Sequence, residues 1–195
     1  MISCLDAAQY FIARAYEDGL EVDMTNMKVQ KLLYYAQSLH LAFYDQPLFV
    51  EEIQAWRYGP VCPPAYRFYS DFEAQQLPFP ERKKLSHLSE EIQAVLDEVW
   101  ENFGGYHAYR LSEMSHLEFP WRKARQGLPT AASSTQAISL DDLKALGHQK
   151  LEQIERSSPV YDAAITQTLQ ASLKTPPTAV IERGAVNDWL NSLLD

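Results

Sequence analysis

Apolar residues recur along this chain at three- and four-residue steps in separate blocks, the period of helices that each bury one stripe. Leu5, Ala8, Phe11, Ile12 and Ala15 predict a first helix from about Leu5 to Asp18, with Ser3 as cap and Gly19 as stop. A second, from about Asn26 to Tyr44, sets Val29, Leu32, Leu33, Ala36, His40 and Phe43 on one face and Met27, Tyr34 and Leu41 on the other. A helix apolar on two sides reads as central. After the turn Asp45-Gln46-Pro47, residues 48 to 58 have extended, aromatic character, and Gly59-Pro60 reads as a breaker. Pro63-Pro64 then open a helix running to Phe72, with Phe68 and Phe72 on one face.

The clearest stripe is Leu88, Ile92, Val95, Leu96, Val99 and Phe103, closed by Gly104-Gly105. A helical turn or two from Tyr106 to Ser115 leads into His116 to Trp121, and a polar run from Gly127 to Gln136 reads as a loop. Ser139 is placed to cap a helix through about Arg156, with Leu140, Leu143, Leu146 and Leu151 as its contacts. Beyond Ser157-Ser158-Pro159 the texture changes to two short amphipathic pieces, 161 to 173 and 185 to 194, separated by Pro176-Pro177. The expected fold is therefore mainly α: a compact helical domain over 1–157 with at most a short β segment near 48–58, plus a helical C-terminal appendage over 158–195.

Composition narrows the function. A net charge of −9 argues against attraction of the whole body to nucleic acid and suits a basic protein partner better. Residues 1 to 27 hold Asp6, Glu17, Asp18, Glu21 and Asp23 against Arg14 alone, a pattern that a solvated acidic surface also explains. Arg122, Lys123 and Arg125 form a local basic run, either a solvated helix face or a phosphate contact. No stretch is apolar enough for a membrane span and the N-terminus is unlike a signal peptide, so the expected compartment is the cytoplasm. In that setting Cys4 and Cys62 read as buried thiols.

The search for catalytic chemistry is negative. His116-Leu117-Glu118 is half of a zinc-deaminase motif whose Pro-Cys-x-x-Cys half is missing. The five histidines lack metal-ligand spacing, and neither a phosphate loop nor a nucleophile elbow occurs. The expectation is a protein without enzymatic activity, cofactor or metal. What stands out is a set of aromatics around Gly59-Pro60, namely Trp56, Tyr58 and Tyr66, together with Trp121 after Pro120. Spacing leaves them as core residues or interface anchors. In the tail, Val186, Trp189, Leu190, Leu193 and Leu194 make one continuous stripe that must cover its own domain or a partner.

Four segments together carry a resemblance: Lys28 to Gln37 (KVQKLLYYAQ), Pro47-Leu48-Phe49, Ala55 to Val61 (AWRYGPV) with Tyr66, and His116 to Trp121 (HLEFPW). In order and spacing they resemble the Panacea (SocA-like) antitoxin family, a phage-associated group, over about Leu5 to Arg156. Cys62-Pro63 stands where the family pattern has valine-proline. The resemblance implies an α-rich antitoxin that neutralises a cognate protein toxin, encoded nearby, by direct protein–protein interaction. It also leaves open a protease adaptor that delivers the toxin for degradation, while the basic run leaves open a nucleic-acid-binding autoregulator of its operon. The expected partner contacts are Trp56, Tyr58 and Trp121 in the domain and Val186, Trp189, Leu190 and Leu193 in the tail. Gly59, Pro60 and Tyr34 read as builders of the fold.

Overall fold

Ser3 starts the first helix as expected. Its hydroxyl accepts from the Asp6 amide at 3.1 Å, the Asp6 carboxylate accepts from the Ser3 amide at 3.0 Å, and α1 runs from Cys4 to Glu17. The computed structural model describes residues 1–80 and 88–157. The chain divides into two compact units, Met1–Ile154 and Glu155–Asp195, and the hydrophobic core lies in the first. The tail stripe lies outside the described residues.

The architecture is mainly helical, with one two-stranded antiparallel hairpin. Helix α2 (Asn26–Tyr44) is central: 15 of its 19 residues are buried, and α1, α3 (Pro63–Phe68), α4 (Glu90–Val99), α5 (Ala108–Leu117) and the hairpin pack around it. Its apolar positions build the core with Phe11, Ile12, Phe49, Leu96, Val99 and Phe103, and Phe103 stacks on Tyr35 at 4.0 Å. Phe43, expected on the buried stripe, is exposed at the helix end. Cys4 and Cys62 are buried and unpaired by any disulfide.

The hairpin corrects two expectations. Strand β1 (Gln54–Trp56) pairs with β2 (Gly59–Val61), so Gly59 and Pro60 continue the pairing and only Arg57-Tyr58 turn the chain. The extended character of residues 48 to 53 is spent in irregular chain, because Gln37 of α2 satisfies their backbone from the side. Its Oε1 accepts from the amides of Leu48 and Phe49 and its amide donates to the Phe49 carbonyl at 3.0 Å.

Helix α3 (Pro63–Phe68) stops before the expected Phe72, which sits in a following single turn; Phe68 points to solvent, and only Phe72 reaches the core. Helix α4 (Glu90–Val99), capped by Ser89, passes into a wider π-type turn over Trp100–Gly104 that ends on the first glycine of the pair. The segment from 106 onward is more helical than expected: α5 (Ala108–Leu117) is followed by α6 (Phe119–Ala124), with Pro120 in the first turn of α6. Helix α7 (Leu140–Ser157) buries Leu143 and Leu146 but leaves Leu140 half exposed. Among the described residues, no helix is long and apolar enough to cross a membrane.

Candidate partner-binding site

Beyond its own strand pairing, the backbone of the hairpin is held by side chains from several other elements. From α2, the buried Lys31 ammonium donates to the Pro60 carbonyl at 3.0 Å, and Gln30 accepts the Cys62 amide at 2.9 Å. Gln30 is itself oriented by Asn26 Oδ1 at 2.9 Å, and Asn26 donates to the Tyr66 carbonyl at 3.0 Å. From α5, Ser112 donates to the Tyr58 carbonyl at 3.0 Å, and His116 Nε2 lies 3.2 Å from the Arg57 carbonyl. A carbonyl only accepts, so this contact selects the tautomer with the proton on Nε2. Burial, and then the nearby Lys31 charge, hold His116 below its ordinary pKa, which favours that neutral ring. From α6, the Trp121 indole donates to the Trp56 carbonyl at 2.8 Å.

Just after α6, Arg125 is 1% exposed and donates to the carbonyls of Ala55 at 3.2 Å, Pro129 at 2.7 Å and Ala132 at 2.7 Å, with its guanidinium 4.7 Å above the Trp121 ring. Every backbone carbonyl from Ala55 to Tyr58 thus faces a fixed donor. The outer edges of both strands are also occupied: β1 by residues 136–138, through Ala55–Gln136 and Ile138–Ile53 bonds of 2.8 Å, and β2 by Gln30 and Lys31.

Gly59 is required where these groups converge. Its φ is +98°, and an added Cβ would lie 2.7 Å from Ser115 Oγ and 2.8 Å from Lys31 Cε. Lys31 is so enclosed that burial alone brings its pKa down to about 7. Lys28, one helical turn earlier, is also buried and lies with its ammonium 5.6 Å from the Trp100 ring centre.

With its backbone fixed, the hairpin presents side chains outward into a cleft of about 830 Å³ between α2, α3 and α5. Trp56, Tyr58, Tyr66, Tyr109, Met27 and Val61 supply its apolar walls. Trp56 is half-buried and meets Tyr66 edge to face at 5.0 Å, with its indole held by Gln54 at 2.9 Å. Tyr58 is 61% exposed, and the Arg57 guanidinium rests 5.1 Å from its ring centre.

The expected contacts therefore separate. Trp56 and Tyr58 come together on the cleft, whereas Trp121 is 4% exposed and supports Trp56 from behind. Val186, Trp189, Leu190 and Leu193 lie outside the described residues. The basic run also comes apart: Arg125 is internal, Lys123 pairs with Asp142 at 2.7 Å, and only Arg122 keeps an open basic head. Glu118 of the half-motif pairs with Lys150 of α7 at 2.8 Å and accepts from Tyr35 at 3.1 Å, an arrangement that joins α2, α6 and α7. Among the described residues, no three His, Cys, Asp or Glu gather as a metal site.

Sequence reasoning missed the clamps. Their signal was present as Lys28, Gln30, Lys31 and Gln37 interleaved with the apolar residues of a helix read as buried on both faces. A buried polar group must find a partner: Gln30, Lys31 and Gln37 find the backbone of the neighbouring motifs, and Lys28 lies over the Trp100 ring.

Comparison with known proteins finds one family and a distant relative. A stretch of 52 residues, 27% of the chain, is 39% identical to Antitoxin SocA of Caulobacter vibrioides (strain NA1000 / CB15N) and covers 28% of that relative, little more than a quarter of its length. No solved structure matches. Residues 29–122 match the family described as antitoxin SocA-like, Panacea domain. That span begins on α2 and ends on α6, and it includes the hairpin, the cleft aromatics and the clamps from Gln30, Lys31, Ser112, His116 and Trp121. Residues 29–122 of this chain are a Panacea domain of the SocA-like antitoxin family.

Proposed function

We propose that this protein is an antitoxin that neutralises a cognate protein toxin, encoded nearby, by direct binding through the hairpin cleft. The observation that supports this most is a pair of aromatic side chains, Trp56 and Tyr58, presented to an open apolar cleft by a backbone that other elements hold rigid. A preorganised anchor loses little freedom on association, so its contacts go largely into affinity. Aromatic and arginine side chains in such positions are the residue types that dominate interface energetics. Trp121 acts through Trp56, and the tail residues Val186, Trp189, Leu190 and Leu193 form a second contact.

The test is co-expression with the product of the adjacent reading frame, read as growth rescue and as recovery of a complex by pull-down. Trp56→Ala and Tyr58→Ala are each expected to weaken the complex by roughly tenfold or more, the effect of losing an interface hot spot. A toxic neighbour that is neither bound nor relieved by the wild-type protein overturns the reading. Rescue with a shortened toxin half-life indicates delivery to a protease in place of simple inhibition.

A further inference from the structure

The hairpin edges and the charges around the cleft bear on what the cleft accepts. An extended peptide can be recognised by adding a strand to a free sheet edge. That route is closed, because residues 136–138 occupy the edge of β1 and the Gln30 and Lys31 side chains occupy that of β2. Recognition must therefore run through side chains. The walls supply aromatic and aliphatic surface, and Arg57, in the two-residue turn and resting on the Tyr58 ring, supplies an exposed positive charge.

Arg57 is exposed, and no carboxylate of the described residues forms an ion pair with it, although the protein carries a net charge of −9. Glu73 is the acidic residue lining the cleft, and His107, also lining it, lies 3.9 Å from Asp23. Lys31, beneath the turn, donates to the Pro60 carbonyl and, with its pKa lowered to about 7 by burial, adds only a partial charge, so Arg57 is the cation offered to a ligand. A guanidinium with one face on an aromatic ring keeps its N–H edge open for two parallel hydrogen bonds to a carboxylate.

We propose that the cleft reads a segment of the toxin in which an internal Asp or Glu side chain stands beside an aromatic or aliphatic residue. The carboxylate pairs with Arg57, and the apolar neighbour enters between Trp56, Tyr58 and Tyr66. This rests on the neutralisation reading and specifies its contact chemistry.

The probe is a displayed library of random seven-residue peptides, presented internally in one arm and with a free C-terminus in the other, selected against the full chain. Internally presented binders are expected to be enriched in an acidic residue next to an apolar one. Arg57→Glu should weaken the selected peptides by roughly tenfold or more through like-charge repulsion, and should itself select basic residues at that position. Arg57→Gln keeps the exposed turn uncharged and controls for folding, and a smaller loss is expected from it. The proposal is overturned if no peptide is enriched, if binders lack acidic bias, if they need a free C-terminus, or if Arg57→Glu binds them unchanged. In cells, rescue by wild type and equally by Arg57→Glu sinks this inference and leaves neutralisation standing. Failure of the wild type to rescue a toxic neighbour removes neutralisation itself.

Discussion

Lys31 shows how a single residue ties the folding of this domain to its binding surface. Its ammonium is buried beneath the turn that carries Trp56 and Tyr58, and burial brings its pKa from 10.5 to about 7. Because the folded value lies below the unfolded one, the unfolded chain binds more protons between them, and stability must rise with pH across that interval. Lys28 is shifted in the same direction, while Cys4 and the buried tyrosines, all shifted upward, act oppositely once their unfolded values of 9.0 and 10.0 are passed. The clean window is therefore pH 7 to 9, where denaturant melts of the wild type should gain on the order of 2 kcal/mol. Lys31→Met should show a flatter profile over that window, and an equal slope in both proteins would refute the assignment. At Gly59 both the left-handed φ and the contact with Ser115 and Lys31 oppose a side chain. Gly59→Ala is expected to cost about 2–3 kcal/mol in thermal or chemical unfolding. A neutral result would mean that the hairpin is not held as tightly as its hydrogen bonds indicate.

At the scale of elements, α7 is the clearest test of packing. It crosses α2 at Gly147, where an added Cβ would collide with the Ser38 carbonyl and lie 2.8 Å from the Ala42 Cβ. Backbone cannot give way as a flexible side chain can, so Gly147→Ala should destabilise the domain by roughly 1–3 kcal/mol even though alanine is the better helix former. A rise in melting temperature would show instead that propensity outweighs the close approach. The helices themselves were legible because their signals are local: Ser3, Gly19 and the period of Leu88 to Phe103 describe α1 and α4 without reference to the rest of the chain. The short hairpin was less legible, since Gly59-Pro60 is ordinarily a breaker and becomes strand only because Lys31 and Gln30 satisfy that backbone from outside. The same non-local support misled the reading of Arg125, which lies next to Arg122 and Lys123 in sequence yet serves the inside of the structure. Trp56 and Tyr58 could be nominated from sequence. Which of the neighbouring aromatics faces solvent could not, because α5 and α6 decide that.

For the molecule as a whole, the clamps make the cleft a product of the entire unit from Met1 to Ile154, since α2, α5, α6 and the chain after α6 must all be in place before Trp56 and Tyr58 are presented. A chain ending at Ser157 retains every one of these clamps, and should therefore fold and keep the affinity of the cleft for the library-selected peptides within about twofold, as for groups whose effects are independent. Its neutralising activity is a separate matter. If Val186, Trp189, Leu190 and Leu193 engage the toxin as a second contact, removing them loses an intramolecular, and hence high effective concentration, binding step. The expected outcome is that the shortened protein melts at the temperature of the full chain and still binds peptide, but rescues growth poorly against the intact toxin. A clear fall in its melting temperature would instead assign the apolar stripe of the tail to covering its own domain. Full rescue by the shortened chain would make the hairpin cleft sufficient and remove the tail from the interface.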